Sequence, residues 1–195
     1  MHQLDGIKNV DIYLLDQYLK GNLNSSKRVL DAGFGKGRNL RFCFEQEMET
    51  IGIDPNEGYV QLLHNEFPKK KDEIIHSSIE DFADDKGFDF IICNAVLHFA
   101  KNHAHFDQLF EKLTSLLRKD GILFIRMTSD IGIERLLSNG IDGVYKIPDG
   151  SPRYLITRNR IATMEQESSC RLIEPIKTVN VQDVRCMTTL VLQKQ

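Results

Sequence analysis

The sequence contains no tryptophan, and only five prolines and four cysteines among 195 residues. The cysteines Cys43, Cys93, Cys170 and Cys186 are widely spread and form no CxxC pair. That argues against a cysteine-built metal site and for reduced thiols in a cytoplasmic protein. No apolar run approaches the roughly 18 residues of a membrane helix. The N-terminal stretch MHQLDGIKNVDIYLL carries an early acid and no small-residue cleavage site, so it does not read as a secretory signal. Charge of one sign is also missing. The balance of 25 basic and 28 acidic residues gives net −3, against the basic excess of a general nucleic-acid binder. There is no internal repeat and no low-complexity stretch.

What is present suits one globular domain of ordinary size, with 41% apolar and 27% charged residues and enough chain to bury a core without staples. Apolar residues at helical spacing predict a helix over residues 7–20, stopped at Gly21. Strand and helix patterns then alternate. Strands are expected at 28–32, 50–54, 74–77, 88–94 and 122–128, and helices at 38–47, 56–67 and 105–118. FDFIICN and ILFIRMT are nearly all apolar, as strands buried on both faces should be. A Gly- and Pro-rich stretch follows Thr128. Residues 157–169 read as a helix, and RLIEPIKTVNV with DVRCMTTLVLQ as an antiparallel pair. Alternating units of this kind predict a parallel sheet with helices on both faces, whose ligands bind at the carboxyl ends of the strands.

At the first of those ends lies Val29-Leu30-Asp31-Ala32-Gly33-Phe34-Gly35-Lys36-Gly37-Arg38-Asn39. Glycines let a ligand approach the backbone, and the following helix start offers free amides. A dinucleotide loop needs G-x-G-x-x-G, but the third position here is Arg38, so a nicotinamide oxidoreductase is disfavoured. No G-x-x-x-x-G-K-[ST] occurs either. Asp54 closes the second strand, where a carboxylate can accept hydrogen bonds from a ribose diol.

DAGFGKGRN followed by GIDPN resembles the cofactor site of class I S-adenosylmethionine-dependent methyltransferases. FDFIICNAVLHF and LLRKDGILFIRM extend the resemblance over residues 28–129, and the terminal strand pair fits it as well. The resemblance implies a Rossmann-like three-layer α/β sandwich. Its mostly parallel seven-stranded sheet would have an antiparallel last strand and helices on both faces. It implies one methyltransferase domain over 1–195, with an N-terminal helical cap at 1–27 and a cofactor-binding core at 28–129. A substrate-side insertion at 130–160 and a helix with the terminal strand pair at 161–195 complete it. S-adenosylmethionine would be the cofactor and S-adenosylhomocysteine the product. The implied cofactor residues are Asp31, Gly33, Gly35, Gly37, Arg38, Asn39, Asp54, Pro55, Ser78, Ile79, Asn94 and Ala95. Asp54 would hold the ribose, and Asn94 and Ala95 would lie by the methionine end. Ser78 stands where the family often has an acid facing adenine.

His98, four residues after Asn94, is the candidate proton acceptor, to be weighed against a packing histidine. Tyr13, Arg126, Tyr145, Arg153 and Tyr154 are candidates for the substrate side, where rings could wall off a sulfonium and an arginine hold an acidic group. His103 and His105 form an H-x-H with no third ligand, so no metal is expected. The expected reaction is methyl transfer to a small-molecule acceptor by a monomer or homodimer without membrane or nucleic-acid partners. A protein or RNA methyltransferase and a non-catalytic S-adenosylmethionine-binding module are the alternatives. N-P-P-Y and D-P-P-Y, typical of base methylation, are absent.

Overall fold

A computed structural model of the chain describes residues 7–137 and 140–195. Expectations that fall on residues 1–6 and 138–139 lie outside them. The chain packs as two compact units, Met1–Ile92 with Leu116–Ile122, and Cys93–Ser115 with Leu123–Gln195.

In the first unit the helix α1 (Ile12–Leu19) precedes β1 (Arg28–Ala32), α2 (Arg38–Glu45), β2 (Glu49–Asp54), α3 (Glu57–Glu66), β3 (Ile74–His76) and the start of β4 (Phe88–Asn94). β1 pairs in parallel with β2, from Arg28 opposite Glu49 to Ala32 opposite Ile53, and with β4 at Val29–Phe90. β3 adds in parallel beyond β2. Parallel neighbours need crossovers, and α2 and α3 provide them. All five residues of β1 are buried, as expected for a central strand. Leu40, Val60, Leu63, Phe34 and Ile74 form the core on one side of these strands. Arg28 is buried at the root of β1. Its guanidinium bonds Asp84 at 2.8 Å and Glu49 at 2.8 Å and stacks over Phe88 at 4.3 Å. A buried cation is tolerable because its donors are met.

The second unit holds α4 (His103–Ser115), most of β5 (Leu117–Ser129), β6 (Val144–Lys146), β7 (Pro152–Tyr154), α5 (Arg158–Glu167), β8 (Cys170–Leu172), β9 (Lys177–Val181) and β10 (Arg185–Lys194). The main sheet runs β3-β2-β1-β4-β5-β10-β8, with β9 also on β10. β8 and β9 are both antiparallel to β10.

Several expectations need correction. The sheet has eight strands rather than seven, because the penultimate strand breaks into β8 and β9. Between them the chain advances five residues, from Leu172 to Lys177, while β10 advances three, from Thr189 to Leu192. The surplus bulges out around Pro175, which has no amide to give the ladder. α1 starts at Ile12 rather than residue 7, because Asp11 caps it by accepting the amide of Tyr13. The periodicity of residues 105–118 overruns the true helix. The carbonyl of Leu116 accepts the amide of Phe88 at 2.9 Å, and the chain leaves the helix there to enter β5. Inside the Gly/Pro-rich stretch, β6 and β7 form a separate antiparallel hairpin that alternation does not reveal.

Candidate functional site

In the first unit, β1 delivers its chain to a loop closed by β2. The amides of Gly33 and Phe34 donate to the carbonyl of Ile53 at 2.8 and 3.2 Å. Gly35 donates to Oδ2 of Asp54 at 2.8 Å, and Asn56 donates to Oδ1 at 2.8 Å. Asp54 therefore binds the loop and its own turn together, and each oxygen retains further acceptor capacity. Gly35 has φ +57°, and a Cβ built there would meet nothing within 4 Å. Open space lies in front of that backbone. Gly37 caps α2 at φ +78°, and a Cβ there would stand 2.6 Å from Leu63. The two glycines thus differ: Gly37 serves packing and Gly35 faces room.

Asp31, the penultimate residue of β1, is buried, and its Oδ2 has no hydrogen-bond partner among the described residues. Burial pushes its carboxyl up to about 7. Asp54 adds to the rise, while the Arg38 guanidinium and the Leu40 amide oppose it. A carboxylate this starved of donors suits a cationic ligand group.

Arg38 and Asn39, expected beside the cofactor, both contact the start of α1. Arg38 pairs with the buried Asp11 at 3.0 Å, and Oδ1 of Asn39 accepts the Asp11 amide at 3.2 Å. Asp11 is a residue that motif reading passed over. Its signal was present, an acid directly before a helical pattern. Tyr13 is half-buried in the same turn. Pro55 is exposed, and its carbonyl meets His76 Nε2 at 2.9 Å. Ser78 donates to Asp81 at 2.7 Å, and Ile79 is buried.

In the second unit, Asn94 closes β4 with 9% exposure, and neither polar atom of its side chain has a partner among the described residues. Ala95 sits at φ 63°, a conformation that costs a non-glycine residue about 1–3 kcal/mol, and its amide donates to the carbonyl of Arg126 at 2.7 Å. Leu97–Phe99 then form a single 3₁₀ turn. His98 is 7% exposed, and its Nδ1 has no partner among the described residues. Burial, then Arg153, then Arg185, lower its pKa to about 4, so it is neutral at physiological pH. Phe99 is exposed, its ring edge-on to His98 at 4.5 Å and under the guanidinium of Arg153 at 4.8 Å.

Of the other substrate-side candidates, Arg126 is half-buried within β5. Tyr145, also half-buried, lies in β6, with its ring against Gly140. Tyr154 is fully buried. Its hydroxyl is 2.9 Å from Nδ1 of His103, and its ring stacks on Phe106 at 4.7 Å. It presents no surface to a substrate. The amide of Lys101 donates to His105 Nδ1 at 3.1 Å. Among the described residues, no group of three or more His, Cys, Asp or Glu could hold a metal ion. A cavity of about 390 Å³ opens among α4, α5 and Lys194, but it shares no residue with the His98 cluster.

A family model described as "Methyltransferase domain" matches residues 30–125. That range takes in the glycine loop, Asp54 and the β4–β5 segment. Over that segment the chain resembles the S-adenosylmethionine-dependent methyltransferases. The relatives it matches are named as S-adenosylmethionine-dependent methyltransferases. The chain is 25% identical over 114 residues to a probable S-adenosylmethionine-dependent methyltransferase, CRG1, of Saccharomyces cerevisiae; the match covers 55% of this chain and 38% of the yeast protein. Its fold is similar to an S-adenosylmethionine-dependent methyltransferase from Clostridium acetobutylicum, with TM-score 0.72, 14% identity and coverage of 99% of this chain and 96% of that one. It is also similar to the 1,6-didemethyltoxoflavin-N1-methyltransferase of Burkholderia thailandensis, with TM-score 0.69, 18% identity and coverage of 93% and 76%. The architecture is that of the Rossmann-like methyltransferases, a mostly parallel sheet with antiparallel strands at one end.

The residues present fit a methyltransferase cofactor. Open space before Gly35 leaves room for a ligand against the backbone, and the orphaned, buried Asp31 oxygen offers a partner to an ammonium group. Phe99, Arg185 and Asp11 are the neighbours that motif reading missed. Phe99 adjoins His98 in the chain, whereas Arg185 joins the His98 surroundings only through the fold.

Proposed function

We propose that this protein transfers a methyl group from S-adenosylmethionine to a small-molecule acceptor. The observation that carries the reading is the joint state of the glycine loop and Asp31: a backbone held open by Asp54 beside a buried carboxylate oxygen without a donor. In this reading Asp31 receives the cofactor's ammonium, and the loop from Gly33 to Gly37 supports its body. Asp54 keeps the loop in place while accepting from the ribose hydroxyls. Ser78 and Ile79 flank the adenine, and Asn94 and Ala95 serve the methionine end. When bound, the cofactor supplies an electrophilic methyl on a sulfonium. The protein supplies binding and orientation.

His98, neutral and lacking a partner at Nδ1, is competent to accept a proton but weakly basic. That supports an acceptor that already carries its lone pair, such as an amine or an anion, over an alcohol needing deprotonation. The Burkholderia neighbour, with bound 1,6-didemethyltoxoflavin and S-adenosylhomocysteine, supports a small acceptor. Four free, buried cysteines support a reducing, cytoplasmic setting. No helix among the described residues is long and apolar enough to cross a membrane.

The test uses the purified protein with methyl-labelled S-adenosylmethionine. It is offered a panel of thiols, amines, carboxylates and soft anions in parallel with mixed RNA, DNA and protein. Label in a small acceptor, with calorimetric binding of S-adenosylhomocysteine tighter than NAD, is the expected result. Label only in a macromolecule would overturn the small-molecule assignment. Binding without transfer to any acceptor would favour a non-catalytic module.

A further inference from the structure

The second unit carries a cation and an exposed ring that the fold itself leaves largely unused. Arg153, half-buried on β7, lays its guanidinium over Phe99 at 4.8 Å and donates through Nη1 to its neighbour's carbonyl, Pro152 O, at 2.7 Å. Asp149 feels the charge of Arg153 and lies 3.9 Å from Arg185. Phe99 is 61% exposed, far more than an aromatic ring placed for packing. Its neighbour in the 3₁₀ turn is His98, more than nine-tenths buried with Nδ1 unpartnered, and Asn94 at the end of β4 is buried with both polar atoms unpartnered. Three side chains thus hold unmet polar or apolar capacity within one short segment, next to an arginine that lies over Phe99 and carries N–H donors beyond the Nη1 that bonds Pro152, a suitable partner for a planar oxyanion.

We propose that Phe99 and Arg153 form the acceptor-recognition surface, and that the acceptor is a small molecule bearing a carboxylate beside a flat ring. The proposal rests on the methyltransferase reading and names its substrate class. The ring of the acceptor lies along Phe99, and the carboxylate takes the edge of the Arg153 guanidinium in a bidentate pair. Arg185 adds attraction at longer range, tempered by Asp149. Asn94 and His98 then offer hydrogen bonds to a ring heteroatom, which meets capacity that is otherwise buried at a cost. A bound carboxylate also cancels part of the field that Arg153 exerts on His98, so the anion makes that imidazole more basic than it is in the free protein.

The experiment uses the full chain saturated with S-adenosylhomocysteine and three acid–amide pairs as probes: benzoate and benzamide, salicylate and salicylamide, indole-3-acetate and its amide. Binding is measured by calorimetry for the wild type, Arg153→Gln, Arg153→Lys and Phe99→Ala. At least one carboxylate should bind about tenfold more tightly than its amide, a difference of roughly 1.4 kcal/mol. Arg153→Gln should remove that preference, Arg153→Lys should restore part of it, and Phe99→Ala should weaken acid and amide alike. S-adenosylhomocysteine affinity should stay within about twofold in all three variants, because none touches the glycine loop. Equal affinity for acid and amide would overturn the proposal, as would a preference that survives Arg153→Gln. So would failure of every carboxylate to bind at about 10 mM, a level that reveals even weaker-than-millimolar sites. Loss of S-adenosylhomocysteine binding by the wild type would instead defeat the methyltransferase reading itself.

Discussion

Gly35 donates its amide to Oδ2 of Asp54 at 2.8 Å, and so the acid at the end of β2 is a strut of the loop. Removing it should affect two measurements together. Asp54→Ala is expected to lower S-adenosylhomocysteine affinity by about one to two decades and folding stability by about 2 kcal/mol, since hydrogen bonds to charged groups contribute about 1.5–3 kcal/mol each before water replaces part of them. Calorimetry and thermal unfolding check the pair. An affinity loss with unchanged stability would show that the amide contacts to Gly35 and Asn56 contribute little.

The two glycines that flank Lys36 should respond differently to a side chain. The Cβ of Gly35→Val meets no neighbour within 4 Å, but the side chain requires φ +57° and fills the space before the loop. It should abolish cofactor binding and cost only about 1–2 kcal/mol of stability. Gly37→Ala drives a Cβ to 2.6 Å from Leu63 at φ +78°, so it should lower the unfolding temperature as well. Retained binding in Gly35→Val with a normal melt would reduce the loop to a turn.

Asp31 predicts a proton linked to binding. Its folded pKa of about 7 lies above the unfolded value of 3.8. The unfolded state therefore gives up its proton first, and stability declines as pH rises from about 4 to 7. A cationic ligand group reverses the preference for the protonated form. Cofactor binding at pH 7 should release about half a proton, and affinity should fall as pH drops below 7. Calorimetry in buffers of different ionisation enthalpy measures the count; zero protons released would place the ammonium elsewhere. Asp31→Asn should stabilise the free protein at pH 8 by at most about 4 kcal/mol while weakening cofactor binding.

His98 acts in the opposite direction. Its pKa is lowered from 6.5 to about 4, so the unfolded state binds the proton more readily. Its contribution to stability is complete above pH 6.5 and is lost progressively as pH falls towards 4, at most about 3 kcal/mol. Ring-nitrogen NMR should find His98 neutral at pH 6. A His98 midpoint near 6.5 in the free protein would mean the ring is solvated and better suited to act as a base.

Much of this was legible in the chain. β4 runs over the expected residues because its nearly continuous apolar run leaves little choice. The glycine loop and Asp54 were readable because their backbone demands are local. The rest failed where a distant partner decides. Leu116 and Leu117 continue the helical period of α4, yet Phe88 captures the Leu116 carbonyl. The contacts of Arg38 and Asn39 with Asp11, 27 positions upstream of Arg38, could not be read from the loop motif. Tyr154 looks like a site aromatic in a loop-rich stretch, but Phe106 and His103 claim both its face and its hydroxyl.

The grip of Arg38 and Asn39 on Asp11 makes the first turn of α1 a reporter for the loop. Asp11 spends one carboxylate oxygen on the amide of Tyr13 and the other on Arg38. Opening that turn and shifting the start of α2 are therefore one event. A ligand that quiets the glycine loop should slow deuterium uptake at Tyr13, although no atom of Tyr13 needs to touch it. The helix ahead of the sheet would then be read as a clock for occupancy, its exchange lifetime lengthening as the loop fills.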